Sequence, residues 1–263
     1  RHRARRGQPH RLGRLDDTVL VEANRIGWGA SGRNGGQLGI GPRADMHSYE
    51  RLVGRDDARK VWDIALAANR LVKDLVAKHA IDCDLPPGYL ECAWKARHAD
   101  DLLAEAEYLE RNYGHTEARP VPRDELAQML GTSRYHAGHL DMAGAHLHPL
   151  NLALGIGRAA TAAGARIFER SQVAAIAPGR VTTARGSVRA DHVIVACNGY
   201  LDGLLPRHQR RSMPINNFMI ATAPLGADRA RTLIRDNVAV ADTKFSVDRG
   251  FFDRFVADAV DLL

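Results

Sequence analysis

Apolar residues recur at two spacings along this chain, and these spacings predict its helices and strands. Helical spacing runs through residues 44–80, 99–113, 122–130 and 149–163. Short apolar runs bounded by turn residues predict strands at residues 19–21, 89–94, 165–169, 173–176, 180–183, 187–189 and 191–200. Residues 138–148 are expected to form a strand, a turn and a second strand. Helices and strands mixed in this order are typical of an α/β fold.

The stretch Thr18–Gln37 combines a strand, an acid and a glycine-rich loop. The apolar run at 19–21 has the length of a buried parallel strand, and Glu22 follows it directly. Open α/β sheets bind ligands at the carboxyl ends of their strands, so Glu22 is placed to accept hydrogen bonds from a ribose. The loop has few bulky side chains, so its backbone N–H groups suit a phosphate or a flat ring. An ordinary surface loop is the alternative interpretation.

The run EANRIGWGASGRNGGQ resembles the second strand and following loop of FAD-dependent amine and amino-acid oxidases of the D-amino-acid oxidase superfamily, nearest to the γ-glutamylputrescine oxidoreductase-like proteins. The resemblance implies an FAD-binding Rossmann-like domain interleaved with a mixed-sheet α+β substrate domain. It also implies an enzyme that uses FAD to oxidise the C–N bond of a small-molecule amine or amino acid, by hydride transfer to the flavin. No catalytic residue is assigned.

The same resemblance implies a set of cofactor-binding residues. Glu22 is implied to contact the adenosine ribose, and Val173 to offer its backbone to the adenine. The loop implied to lie along the pyrophosphate and flavin ring consists of Ser31, Gly32, Arg33, Asn34, Gly35, Gly36 and Gln37. Residues 191–200 resemble an element that closes beneath the cofactor, which adds Ala196 and Asn198. An Asn-Gly pair is equally typical of a plain turn.

The resemblance also divides the chain into alternating parts. Residues 1–17 form a basic head without apolar periodicity and are expected to be disordered. The FAD-binding domain is expected at 18–80 and 145–215, and the substrate domain at 81–144 and 216–263, with residues 213–225 as a strand crossing between them. The resembled family has a strand and a G-x-G-x-x-G turn before the acid, and residues 1–17 contain neither. The family pattern also stops near residue 248, so both ends are expected to be truncated. The alternative function is therefore an inactive fragment that binds no flavin.

Composition narrows the classes of partner. The chain of 263 residues has a formal charge of +6, and six arginines against two aspartates in the first 17 residues account for +4 of it. The remainder therefore carries only +2, and with no nucleic-acid-binding motif present we expect no nucleic-acid partner. No segment is long and apolar enough to span a bilayer, so no membrane association is expected. The sequence leaves the oligomeric state open.

Cysteine and histidine positions complete the sequence evidence. The three cysteines are widely spaced and form no CxxC pair, which indicates a reducing, cytoplasmic location. Four histidines lie close together, at His136, His139, His146 and His148. Their spacing matches no zinc pattern and no cysteine is nearby, so no metal is expected. His148 and the proline after it are instead expected to open a helix.

Overall fold

The computed structural model describes residues 17–42, 44–214 and 218–244 and shows a mixed α/β fold, as predicted. Its strands are β1 (Val19–Val21), β2 (Gln37–Leu38), β3 (Pro87–Cys92), β4 (Ala118–Val121), β5 (Gly138–His146), β6 (Arg166–Phe168), β7 (Val173–Ala177), β8 (Arg180–Thr183), β9 (Gly186–Arg189) and β10 (Ala239–Asp242). Its helices are α1 (Met46–Val53), α2 (Arg55–Lys78), α3 (Ala99–Tyr113), α4 (Arg123–Leu130), α5 (Pro149–Ala162), α6 (Pro206–Gln209) and α7 (Ala227–Leu233). Within these ranges, no helix is long and apolar enough to cross a membrane.

The chain divides into two compact units. Among the described residues, the first unit contains 17–36, 71–84 and 148–221, and the second contains 37–70, 85–147 and 222–244. The domain boundaries expected from the sequence stay a prediction.

The second unit is built on a five-stranded mixed sheet. Its strands run in the order β10-β3-β5-β2, and β4 also pairs with β5. The pair β3–β10 is parallel, whereas β5 is antiparallel to its neighbours. Alternate residues of β3 and β5 point to one face, and helix α4 adds further apolar side chains. This core consists of Leu90, Cys92, Val121, Leu126, Met129, Leu130, Leu140 and Val238, all less than a tenth exposed.

The first unit contains two smaller sheets and helix α5. Strands β1 and β6 form a parallel pair, and β7, β8 and β9 form the predicted antiparallel meander. His148 is the N-cap of α5, and its side chain accepts a hydrogen bond from the backbone N–H of Asn151 at 3.3 Å. The predicted role of His148 and Pro149 as a helix entry is therefore confirmed.

One expected helix is confirmed over its full length, and another is divided into two helices in the structure. Helix α3 spans the expected residues 99–113. The helix expected over 44–80 is instead two helices, because Gly54 between them has φ 82°, a left-handed value that ends α1. Asp45 caps α1 by accepting a hydrogen bond from the backbone N–H of Ser48 at 2.7 Å.

Three strand expectations are wrong. Residues 138–148 do not turn back: β5 runs straight through 138–146, and Gly144 lies so close to Tyr89 that a Cβ there would collide with it. Residues 191–200 form no strand, and Ile194 is 90% exposed. The described parts of 213–225 also lack a strand, and residues 215–217 lie outside the described residues. An apolar run becomes a strand only where a neighbour completes its ladder, and among the described residues these two segments have none.

Candidate cofactor site

Glu22 lies at the carboxyl end of β1, where the sequence predicted it. Its backbone N–H donates to the carbonyl of Phe168 at 2.9 Å, which extends the β1–β6 ladder by one bond. One carboxylate oxygen accepts the backbone N–H of Asn24 at 2.8 Å, so the half-buried side chain has a fixed orientation. The Glu22 carbonyl accepts the N–H of Ser171 at 2.8 Å. This contact brings the segment leading to β7, and hence Val173, to the same end of β1.

The loop after Glu22 folds around a single turn of 3-10 helix at Ala30–Gly32. The N–H groups of Gly32 and Arg33 donate to the carbonyls of Gly29 and Ala30, each at 3.2 Å. A Cβ added at Gly32 would collide with the carbonyl oxygen of Gly27. Glycine at position 32 is therefore required for the loop to close on itself, whatever it binds.

Asn34 holds the end of this loop in place. Its Nδ2 donates to the carbonyls of Ala30 and Ser31 at 2.9 and 3.1 Å, and its Oδ1 accepts the N–H of Gly36 at 2.9 Å. Both polar atoms of the side chain are thus engaged inside the loop. Both Nδ2 hydrogens are used and Oδ1 keeps one acceptor position, so we interpret the side chain as positioning the loop.

Gly35 presents an open, exposed surface between these fixed points. A Cβ added there would meet only the Cε of Met219, at 3.6 Å, within a 4 Å radius. The loop therefore contains both a packed glycine that closes it and an open glycine that exposes backbone. FAD contains a pyrophosphate and flat rings, and an exposed glycine lets such groups approach the protein backbone closely.

The remaining predicted residues lie in different places. Gln37 begins β2 in the second unit, where its Nε2 donates to the carbonyl of Val240 at 2.9 Å. Ala196 and Asn198 are exposed. Asn198 has a φ of 49°, and the N–H of Tyr200 donates to the carbonyl of Cys197 at 2.9 Å, so this segment is a turn.

Two aromatic residues near the loop were not among the predicted cofactor-binding residues. Trp28 and Tyr200 form an edge-to-face pair with ring centroids 6.2 Å apart. The Arg33 guanidinium carbon lies 4.8 Å from the Trp28 ring centroid. A Cβ at Gly29 would be 3.5 Å from the Tyr200 ring. The sequence signal that points to Trp28 itself is a tryptophan inside an otherwise side-chain-poor loop.

The second unit contains a buried polar pair, His115 and Asp141, in which the carboxylate changes the pKa of the imidazole. The Nε2 of His115 lies 2.7 Å from a carboxylate oxygen of Asp141, and both residues are 4% exposed. Burial alone would lower the pKa of His115, but the hydrogen bond and charge of Asp141, with the charge of Glu117, outweigh it and raise the pKa. Burial lowers the pKa of His139, whose Nε2 is buried without a hydrogen-bond partner among the described residues.

Two of the four histidines considered as metal ligands make other contacts. The Nε2 of His146 lies 2.8 Å from the carbonyl of Asn237, and His148 caps α5. Across the described parts of the chain, no group of three or more His, Cys, Asp or Glu side chains could hold a metal ion.

Comparison with known proteins decides the family. The family profile DAO, described as FAD dependent oxidoreductase, matches residues 4–251. The chain belongs to the DAO family of FAD-dependent oxidoreductases. Gamma-glutamylputrescine oxidoreductase of Escherichia coli strain K12 is 37% identical over 246 residues, which cover 92% of this chain and 57% of that protein. The probable oxidoreductase OrdL of Haemophilus influenzae is 34% identical over 239 residues, covering 88% of this chain and 55% of its own length.

Solved structures share the fold of this chain. Glycine oxidase from Geobacillus kaustophilus has a TM-score of 0.55 at 21% identity, covering 72% of this chain and 51% of that one. L-amino acid deaminase from Proteus vulgaris has a TM-score of 0.52 at 17% identity, covering 71% and 44%. At these identities the likeness shows a shared fold. The chain spans little more than half the length of the curated DAO relatives it matches.

Proposed function

We propose that this chain supplies the loop from Glu22 to Gly36 to an FAD site in an enzyme that oxidises the C–N bond of an amine or amino acid. The observation that carries the proposal is the loop itself, in which Asn34 fixes the backbone and Gly35 leaves it open. The family description names FAD as the cofactor. The 37% identical relative is named for oxidation of gamma-glutamylputrescine, which supports an amine substrate.

Four residues have distinct roles in the proposal, three in this loop and one in β7. Glu22 accepts hydrogen bonds from the ribose, with its carboxylate already oriented by the Asn24 N–H. The backbone around Gly35 approaches the pyrophosphate or flavin ring, and Asn34 keeps that backbone in shape. Val173 offers backbone groups to the adenine from the start of β7. Bound FAD supplies the hydride acceptor for the oxidation.

The first experiment measures whether the purified chain retains FAD. The chain is mixed with FAD and dialysed, and its visible absorption spectrum is recorded. We expect a retained flavin band. A chain that loses all flavin at every FAD concentration would contradict the proposal and support the alternative of a fragment without cofactor.

A matched pair of glycine variants locates the contact. Gly35→Val should weaken FAD binding about tenfold or more, because a branched side chain blocks backbone hydrogen bonds worth roughly 1.5–3 kcal/mol each to a charged group. Gly186→Val is the control, since a Cβ at Gly186 meets nothing within 4 Å and the residue lies at the β8–β9 turn. Equal FAD affinity in the two variants would exclude the loop as the contact.

The substrate class is tested on the FAD-loaded chain under anaerobic conditions. We expect an amine or amino acid to bleach the flavin band, with gamma-glutamylputrescine and glycine as first candidates. Bleaching by a non-nitrogenous alcohol or hydroxy acid alone would contradict the proposed C–N chemistry.

A further inference from the structure

Three exposed, largely apolar side chains lie in or beside the glycine-rich loop. We call them the apolar rim: Trp28, Tyr200 and Met219. They are 44%, 53% and 57% exposed, respectively. Trp28 and Tyr200 contact each other edge to face, and Met219 is the side chain nearest to the open side of Gly35. Large apolar side chains clustered at the surface mark ligand-binding sites more often than scattered ones do.

The rim also carries a positive charge. The Arg33 guanidinium lies over the Trp28 ring, 4.8 Å from its centroid. Flat apolar surface next to a cation and an open backbone complements a ligand that has both heteroaromatic rings and phosphates. FAD has this composition, with two ring systems joined by a pyrophosphate.

We infer that Trp28 and Tyr200 are cofactor-binding residues that hold a heteroaromatic ring of FAD against the loop. The inference rests on the proposed function and adds side-chain contacts to a site otherwise described through its backbone. Aromatic side chains bind flat rings through dispersion and offset stacking, and they lose little conformational entropy in doing so.

A second tryptophan provides a matched control in the other unit. Trp94 has an edge-to-face tyrosine neighbour, Tyr135, at 6.0 Å and an arginine, Arg134, with its Cζ 5.0 Å from the ring centroid. These values are close to those around Trp28. Lys244 adds a second cation 4.6 Å from the Trp94 centroid, and Trp94 is half-buried. The chain's own side chains therefore cover Trp94, whereas Trp28 keeps an exposed surface.

The competing explanation is that Trp28 only clamps Arg33. A cation–π contact would then shape the loop without touching the ligand. The two roles differ in a double-variant test. If Trp28 acts only through Arg33, then adding Trp28→Ala to Arg33→Gln should cause no further loss of FAD affinity. If Trp28 contacts the ring, the double variant should bind more weakly than either single variant.

The test measures affinity by equilibrium dialysis for three probes: FAD, riboflavin and ADP. Trp28→Ala and Tyr200→Ala should each lower FAD affinity about tenfold or more, the scale of one aromatic stacking contact. Trp28→Phe should restore most of it, and Trp94→Ala should leave it within about twofold. Emission from bound flavin should brighten in Trp28→Ala if the isoalloxazine is the ring held. Riboflavin and ADP then identify the ring, because only the probe that contains it loses affinity.

Failure of this inference can be distinguished from failure of the proposed function. FAD retained by the native chain, with unchanged affinity in both Trp28→Ala and Tyr200→Ala, would overturn the inferred role of the apolar rim in binding FAD. The proposal for the loop would still stand. A double variant of Trp28→Ala and Arg33→Gln that binds FAD as tightly as Arg33→Gln alone would also overturn the inferred role of the apolar rim. No FAD retained by the native chain would overturn the proposed function itself.

Discussion

The described residues contain two parallel strand pairs, β3–β10 in the second unit and β1–β6 in the first, and their surroundings differ. In β3, Leu90 and Cys92 are fully buried between the neighbouring strands and helix α4. In β1–β6, Leu20 is 44% and Phe168 is 49% exposed. Both pairs combine apolar residues with one or two charged ones, so sequence alone does not separate them. Burial of a parallel strand comes from the layers around it, which the second unit supplies from its own described residues.

The largest expected difference between the units is in thiol reactivity. Cys92 is fully buried, and burial together with the charges of Asp242 and Glu91 raises the pKa of its thiol to about 12. About one molecule in ten thousand would then be thiolate at pH 8. Cys197 in the first unit is only half-buried. We expect a colorimetric disulfide reagent to label Cys197 at least about a thousandfold faster than Cys92 in the native protein.

Two serine variants check this assignment. Cys197→Ser should abolish the fast labelling phase, and Cys92→Ser should leave it intact. Persistence of the fast phase in a variant with both Cys197→Ser and Cys83→Ser would show that the interior of the second unit opens readily.

A pair of leucine truncations measures the same difference as stability. Leu90→Ala should lower the free energy of unfolding by about 2–5 kcal/mol, because it leaves a cavity in a packed core. Leu20→Ala removes a side chain that is nearly half exposed and should cost below about 1 kcal/mol. Urea denaturation followed by circular dichroism gives both values. Equal costs would mean that the exposed face of β1 is covered in solution.

A helix and an expected strand show what the sequence could predict about the fold and what it could not. Helix α3 was predicted over its full length, because its apolar period is regular and Gly114, with φ 67°, ends it. The strand expected at 191–200 has an equally clear apolar run but no ladder partner among the described residues. Local periodicity therefore suffices for a helix, whose hydrogen bonds are internal, and fails for a strand, whose hydrogen bonds belong to its neighbours.

The sequence also predicts only part of the candidate cofactor site. The position of Glu22 after β1 was predicted, because strand ends can be recognised in a sequence. The use of the Asn34 side chain inside its own loop could not be, since the same residue type suits a ligand contact or a turn. The pairing of Trp28 with Tyr200 joins positions far apart in the chain, and no local pattern reveals such a contact.

Two asparagines with matching hydrogen bonds give a finer comparison. Asn69 in the second unit is 5% exposed, and its Nδ2 lies 3.1 and 3.4 Å from the carbonyls of Gly39 and Leu38. Asn69→Ala should cost about 1–3 kcal/mol of stability, because these interactions are buried. The exposed Asn34 also binds two carbonyls, yet Asn34→Ala should cost below about 1 kcal/mol. Its effect should be seen instead as weaker FAD binding in dialysis, and the reverse pattern would contradict the positioning role of Asn34.

The smallest expected effect concerns two histidines of the second unit that respond to pH in opposite directions. The pKa of His115 is raised, so its contribution to stability is fully present below the unfolded value of about 6.5 and is lost as the pH rises through the raised value. The pKa of His139 is lowered, so the folded state loses stability as the pH falls below about 6.5. Titration of the histidine C–H signals by NMR should place the two midpoints on opposite sides of about 6.5.

A His139→Leu variant tests the stability side of this argument. Leucine cannot be protonated, so the variant should gain on the native protein as the pH is lowered from about 7 to about 5. The thermal midpoints of the two proteins, measured across that range, give the difference directly. A difference that stays constant with pH would mean that His139 is not held neutral by burial, and the second unit would then admit water to its polar interior as the first unit admits it to the faces of β1 and β6.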